Sequence, residues 1–169
     1  MRGLILSIAF VLASSASVFG QKYGYVDSEY ILSNIPDYKQ AQSQLDNMSA
    51  QWQGEIESLF SESEALQVAL NAEKILLTEE MVSEREKLID EKKTEARTLQ
   101  QQYFGPEGEL FKKRLELIKP IQDQIYNAIQ SVAKQKKYDI VFDKASELMM
   151  LYTNPKADLS DEVLESLGY

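Results

Sequence analysis

The side chains that most often run chemistry in proteins are sparse in this sequence. It holds no cysteine and no histidine. Thiol nucleophiles, disulfides, thiolate metal sites, a bacterial lipid-anchor acceptor, the Ser-His-Asp arrangement and the commonest transition-metal ligand are therefore all excluded. Carboxylates remain. Glu79-Glu80, Asp90-Glu91 and Asp161-Glu162 stand as pairs, and glycoside hydrolysis needs two acids flanking one bond. Adjacent residues on a helix, however, point about 100° apart. These pairs diverge, and they suit solvated faces and helix starts. Asp158-Leu159-Ser160-Asp161 lacks the glycine and the distal Glu of a calcium loop, so helix capping accounts for it better. Lys112, Lys113 and Arg114 form a run of cations, which is either a solvated helix face or an anion contact. No catalysis, cofactor or metal is expected.

The ends of the chain bound where and with what it works. Met1-Arg2-Gly3 is a short positive start, Leu4 to Ala13 an apolar run, and Ser14 to Gly20 a small-residue stretch, the three parts of a secretory signal peptide. The run is too short to span a bilayer. Val18 and Gly20 place the cut before Gln21, giving an expected exported protein that does not span the membrane after cleavage. Subtracting Arg2 from 18 basic residues leaves 17 against 27 acidic ones, a net charge of −10. That balance argues against nucleic acid or a bulk anionic membrane as partner.

From Asp37 to about Lys136 the sequence is rich in Gln, Glu, Lys, Ala and Leu, the composition of long helices. Pro36 suits the first helical position, and Asp37 puts a negative charge in the first turn. Tyr38, Leu45, Trp52, Leu59 and Leu66 recur every seven residues, with Ala41, Met48, Ile56 and Leu70 between them. This is a coiled-coil stripe, in which Trp52 and Tyr38 are packing residues. Phe111, Ile118, Ile125 and Val132 repeat the spacing, joined by Leu115, Ile121, Ala128 and Ile129. The second stripe is wider, so its helix should be covered on more than one side.

Phe104-Gly105-Pro106-Glu107-Gly108 is the most visible breaker, but a reversal there pairs arms too unequal to cover each other. A reversal at 73–78 balances them, with Thr78 as N-cap ahead of Glu79 and Glu80. Pro120 and the break at 104–108 absorb the surplus. The expected division is thus a signal peptide at 1–20, body segments at 21–36 and 137–169, and a helical hairpin at 37–136.

Three short strands are expected in the body: Lys22 to Asp27, Tyr138 to Phe142, and the nearly all-apolar Leu148 to Tyr152. Asp27 or Ser28 caps a short helix, Glu29 to Asn34. Ser160 is read as the N-cap of a final helix, Leu159 and Leu164 as its hydrophobic staple, and Gly168 as its stop. So small and oily a sheet is marginal alone. Copies from several chains would combine into one shared barrel through Tyr25, Val26, Ile140, Val141, Phe142, Met149 and Leu151. The expected fold class is mainly α with a small β body, a long antiparallel coiled-coil hairpin projecting from an oligomeric β-barrel base.

The order "YGYVDSEYIL", long helical hairpin, "IQSVAKQKKYDIVFDKASELMMLYTNPKADLSDEVLESLG" resembles the Skp/OmpH family of periplasmic chaperones over essentially the whole mature chain. The two ends are its specific parts. The resemblance implies a homotrimer in which an intertwined β-barrel body carries three helical tentacles around a cavity. It also implies an ATP-independent holdase that keeps unfolded outer-membrane proteins soluble between the inner-membrane translocon and the outer-membrane insertion machinery. Better-known members are strongly basic, whereas this chain has a pI of about 4.6. Lys112, Lys113 and Arg114 fall where the family carries a basic cluster, so a residual lipopolysaccharide contact is one reading of them.

A holdase must bind many sequences weakly and reversibly. The apolar residues left over after the seam is filled are Phe60, Val68, Ile75, Leu76, Leu77 and Met81, the candidate client contacts. For Ile75 to Leu77 the first reading is instead a plug that closes the tip together with Leu70. The competing function is a structural periplasmic coiled coil, a tether or secretion-apparatus adaptor.

Overall fold

The computed structural model describes residues 21–146 and 149–169; the expected signal peptide, together with Glu147 and Leu148, lies outside the described residues. In order come β1 (Tyr23–Val26), α1 (Ser28–Asn34), α2 (Pro36–Glu73), a 3-10 turn (Lys74–Leu76), α3 (Glu79–Phe104), α4 (Glu109–Gln135), β2 (Ile140–Asp143), a second 3-10 turn (Pro155–Ala157) and α5 (Ser160–Leu167). The chain divides into two compact units, one running up to Ile31 and resuming at Tyr126–Tyr169, the other Leu32–Ile125.

In the second unit Pro36 occupies the start of α2, where its missing N–H costs nothing and its fixed φ suits the helix. The buried residues of α2 are Ala41, Leu45, Ile56, Ser63 and Leu70, spaced so that one stripe meets a neighbour. That neighbour is α3. Glu55 pairs with Tyr103, Glu62 with Lys92 and Glu73 with Arg85; partner numbers fall as those on α2 rise, so the two helices run antiparallel. Ile89 and Ala96 are the buried residues of α3. Ser63 is the polar exception in the seam, 2% exposed. Its hydroxyl donates to Phe60 O at 2.8 Å, a bond to its own helix that lets it sit among apolar groups.

Both ends of α3 have a local cause. Thr78 is extended and its Oγ1 accepts from Met81 N at 3.3 Å, while Glu79 and Glu80 place negative charge in the first turn. At the other end the Gly105 N–H bonds to Gln101 O. A Cβ on Gly105 would stand 2.3 Å from that carbonyl oxygen, and one on Gly108 would stand 2.7 Å from Tyr103 O. Only glycine fits the break. In α4, Ile118, Ile121, Ile125, Ala128 and Val132 are buried, but Phe111 and Leu115 are each 46% exposed.

The first unit is built on β1 and β2, which pair in parallel with Tyr23 opposite Ile140 and Tyr25 opposite Phe142. β1 also meets the segment before α5: Tyr25 bridges Asp158, and Leu159 N donates to Tyr25 O at 2.9 Å. The core comprises Tyr25, Val26, Ile31, Ala128, Val132, Leu159, Val163 and Leu164. Asp27 caps α1, its Oδ1 accepting from Tyr30 N at 3.0 Å, and Asp143 takes both the amide and the hydroxyl of Ser28. α5 ends at Gly168, whose φ of 90° is the left-handed conformation that glycine adopts without strain.

Two expectations need correction. Residues 149–152 form no strand. Met149, Leu151 and Tyr152 are 85%, 91% and 85% exposed; the side of β1 away from β2 is taken by Asp158 instead. Ser160 does not cap α5 but is its first helical residue. Asp158 supplies the capping oxygen, accepting from Ser160 N at 2.9 Å and from its hydroxyl at 2.6 Å. Ser160 Oγ in turn accepts from Asp27 N at 2.9 Å.

Candidate functional site

The reversal between α2 and α3 is closed by charge. Arg85 reaches Glu73 at 2.5 Å and Lys74 reaches Glu86 at 3.3 Å. With those pairs drawing the two strands of the turn together, a single turn of 3-10 helix followed by extended Leu77 leaves no inward direction for the side chains between. Ile75 is 96% exposed and Leu76 86%. The plug expected there is not formed: Leu70 is buried without them, and Leu77 is half-buried. An aliphatic pair fully in water forgoes roughly 1.5–3 kcal/mol per side chain that burial would return.

Phe60, Val68 and Met81 are also exposed, at 36%, 64% and 43%. Leu88, 43% exposed, was not singled out from the sequence; its place seven residues after Met81 was the signal, since a heptad step returns to the same helix face.

On the β1–β2 pair a second apolar surface is open. Tyr23, Ile140 and Phe142 are 47%, 45% and 37% exposed, and Tyr23 lies against Phe142 with ring centroids 6.4 Å apart. A recess there is lined by Tyr23, Tyr25, Phe142, Met150, Tyr152 and Ala157. Of the residues assigned to a shared body, Tyr25 and Val26 are buried within the chain, Val141 is half-buried, and Ile140, Phe142, Met149 and Leu151 face solvent. One chain leaves this surface uncovered.

The cations of α4 are largely spoken for. Lys112 pairs with Glu109 at 2.9 Å and Lys113 with Glu116 at 2.7 Å; the second bond raises the pKa of Lys113. Only Arg114 of the three has no ion pair among the described residues.

The acidic pairs diverge as helical neighbours do. Asp161 accepts from Tyr30 Oη at 3.0 Å, while Glu162 pairs with Lys136. Hydrogen bonding to Asp161, followed by that carboxylate's charge, raises the pKa of Tyr30. Among the described residues no group of His, Asp or Glu is arranged to hold a metal ion, and no helix is long and apolar enough to cross a membrane.

This arrangement has counterparts. The family described as outer membrane protein (OmpH-like) matches residues 22–167. An uncharacterized protein of Aquifex aeolicus (strain VF5) is 28% identical over 99% of each chain. A chaperone protein Skp of Yersinia enterocolitica is 25% identical over 95% of this chain and 94% of its own, and a chaperone protein Skp of Vibrio cholerae is 25% identical over 98% and 94%. The crystal structure of an OmpH-like protein from Caulobacter crescentus CB15, described as an outer membrane chaperone, superposes with a TM-score of 0.68 at 16% identity, over 89% of this chain and 86% of that one. It shares the fold. With the family match spanning nearly all the described residues, this chain belongs to the OmpH-like family.

Proposed function

We propose that this protein is an ATP-independent holdase of the periplasm that binds unfolded outer-membrane β-barrel proteins and keeps them from aggregating. The observation that carries the reading is the exposed Ile75–Leu76 pair, held out from a turn already closed by two ion pairs. An unfolded barrel strand exposes alternate apolar residues. Several small apolar surfaces on a helical frame offer many weak contacts rather than one tight pocket, and multiplicity supplies the affinity. Phe60, Val68, Leu77 and Met81 extend the set.

The working unit in this reading is a homotrimer whose copies merge their β segments around Ile140, Phe142, Met149 and Leu151. Each has apolar surface that its own chain leaves bare, and the outer edge of β2 has no partner strand among the described residues. The hairpins then surround a shared cavity. Lipopolysaccharide has no place in this proposal, because two of the three cations near its expected contact already hold carboxylates. The N-terminal segment delivers the chain to the periplasm and is removed there.

Dilution of a urea-unfolded outer-membrane β-barrel into the purified protein tests the reading. Light scattering is expected to fall as the protein approaches one trimer per client. Scattering unchanged at large excess, with crosslinking recovering one dominant partner, would transfer the case to a structural tether or adaptor.

A further inference from the structure

After Lys39, helix α2 carries no lysine or arginine up to Glu73, and its acids over that span are Asp46, Glu55, Glu57, Glu62, Glu64 and Glu73. They fall into two groups. Glu55, Glu62 and Glu73 are engaged across the seam by Tyr103 at 3.1 Å, Lys92 at 2.7 Å and Arg85 at 2.5 Å. Asp46, Glu57 and Glu64 lie on another face, about 115° round the helix from the buried stripe by the 100° step. Asp46 takes only an amide from Gln42 on its own helix. The carboxylates of Glu57 and Glu64 have neither ion pair nor hydrogen bond among the described residues.

Apolar residues interleave with these acids. Glu57, Phe60, Glu64 and Val68 follow one another at steps of three and four, all exposed, so they form one continuous stripe. The positions four residues after Glu57 and Glu64, where a lysine would pair within the helix for a few tenths of a kcal/mol, hold Ser61 and Val68. Helix α4 does the opposite, pairing Lys112 with Glu109, Lys113 with Glu116 and Lys119 with Asp123 along its own surface. The charge of α2 is left open where that of α4 is closed.

We propose that this stripe docks cationic, apolar-interleaved segments of unfolded polypeptide, so that the protein selects its clients by positive charge. Phe60 and Val68 take the apolar residues of such a segment, and Glu57 and Glu64 meet the lysines or arginines between them. An acidic segment or an anionic membrane surface is repelled by the same field, to which the net charge of the whole chain adds. Exposed pairs of this kind are screened within about 8–10 Å at ordinary ionic strength, so the preference is salt-dependent. This inference rests on the holdase reading and refines it.

The test uses the purified full chain and two unfolded peptides with identical apolar positions, one with lysine and the other with glutamate at every polar position, followed by fluorescence anisotropy. The cationic peptide is expected to bind about three- to tenfold more tightly at low salt, with the gap narrowing as salt is added. E57Q/E64Q should remove most of the gap. F60S/V68S should weaken both peptides alike. Equal binding of the two, preference for the anionic one, or a gap that survives E57Q/E64Q overturns the inference while the holdase reading stands. Binding of neither, with scattering unsuppressed, removes the holdase reading and this inference with it.

Discussion

Trp52 on α2 and Tyr103 on α3 lie face to face, ring centroids 4.7 Å apart and planes 8° from parallel, with Phe104 edge-on to the indole at 6.3 Å. Tyr103 Oη also donates to Glu55 at 3.1 Å. Burial first, then the bond to Glu55 and its charge, raise the pKa of this phenol above the ordinary tyrosine value near 10. Its neutral form is the one the fold favours, so the contact contributes fully below about pH 10 and is lost as pH rises through the raised value. The difference in absorbance at 295 nm between wild type and Y103F isolates this titration; it is expected above that of an ordinary tyrosine and to move down in E55Q. A Tyr103 that titrates at or below the ordinary value would contradict the geometry.

Backbone conformation makes three substitutions differ in sign. Gly54 stands inside α2 with nothing within 4 Å of where a Cβ would go, and Gly54→Ala should stabilise by about 0.5–1 kcal/mol. Lys137 adopts φ 57° just after α4, a conformation that costs a non-glycine residue roughly 1–2 kcal/mol, so Lys137→Gly should also raise the melting temperature. Gly105→Ala drives a methyl into the Gln101 carbonyl and should cost more than about 1 kcal/mol. Urea denaturation of the three variants gives the ordering directly.

At the tip, stability and activity should separate. I75S/L76S replaces side chains that bury almost nothing, so the unfolding free energy is expected to stay within about 0.5 kcal/mol of wild type. Aggregation suppression should nevertheless require several-fold more protein. An unchanged scattering titration would take the tip out of client binding.

Phe142 and Ile140 distinguish a shared surface from a merely exposed one. In a lone chain both are partly in water, so an aspartate there gives up some packing, against Tyr23 in the case of Phe142, but its charge stays hydrated. If copies bury them together, F142D or I140D places an unpaired charge in an apolar interface. Light scattering should then report a monomer mass while circular dichroism stays helical. Retention of the wild-type mass by both variants would count against the β surface as the assembly contact.

What could be read in advance was local. Thr78, Asp27 and Gly168 bear the side chains, or the lack of one, that helix ends demand, and each of them does that work. The seam was legible through Ala41, Leu45, Ile56 and Leu70, but Ser63 was hidden from an apolar template because its hydroxyl is satisfied by its own helix. Pairing is not written in composition. The apolar run at 148–152 announces a need for cover without saying what supplies it, and the free side of β1 went to Asp158 across a single bridge. The tip misled for a related reason: Ile75 and Leu76 were oily enough to be a plug, and only the ion pairs of Glu73 and Glu86 reveal that the turn needs none.

The parallel β1–β2 pair joins segments far apart in the chain: Lys22 N donates to Asp139 Oδ2 across 117 residues. Closing so long a loop is slow compared with winding a helix, whose bonds are all nearby. The helices therefore have a head start over the ladder. Until the far segment arrives, Tyr25 and Val26 have nothing to cover them. A newly made molecule is for that interval an extended, oily strand in search of shelter, the very kind of object the finished protein is proposed to hold.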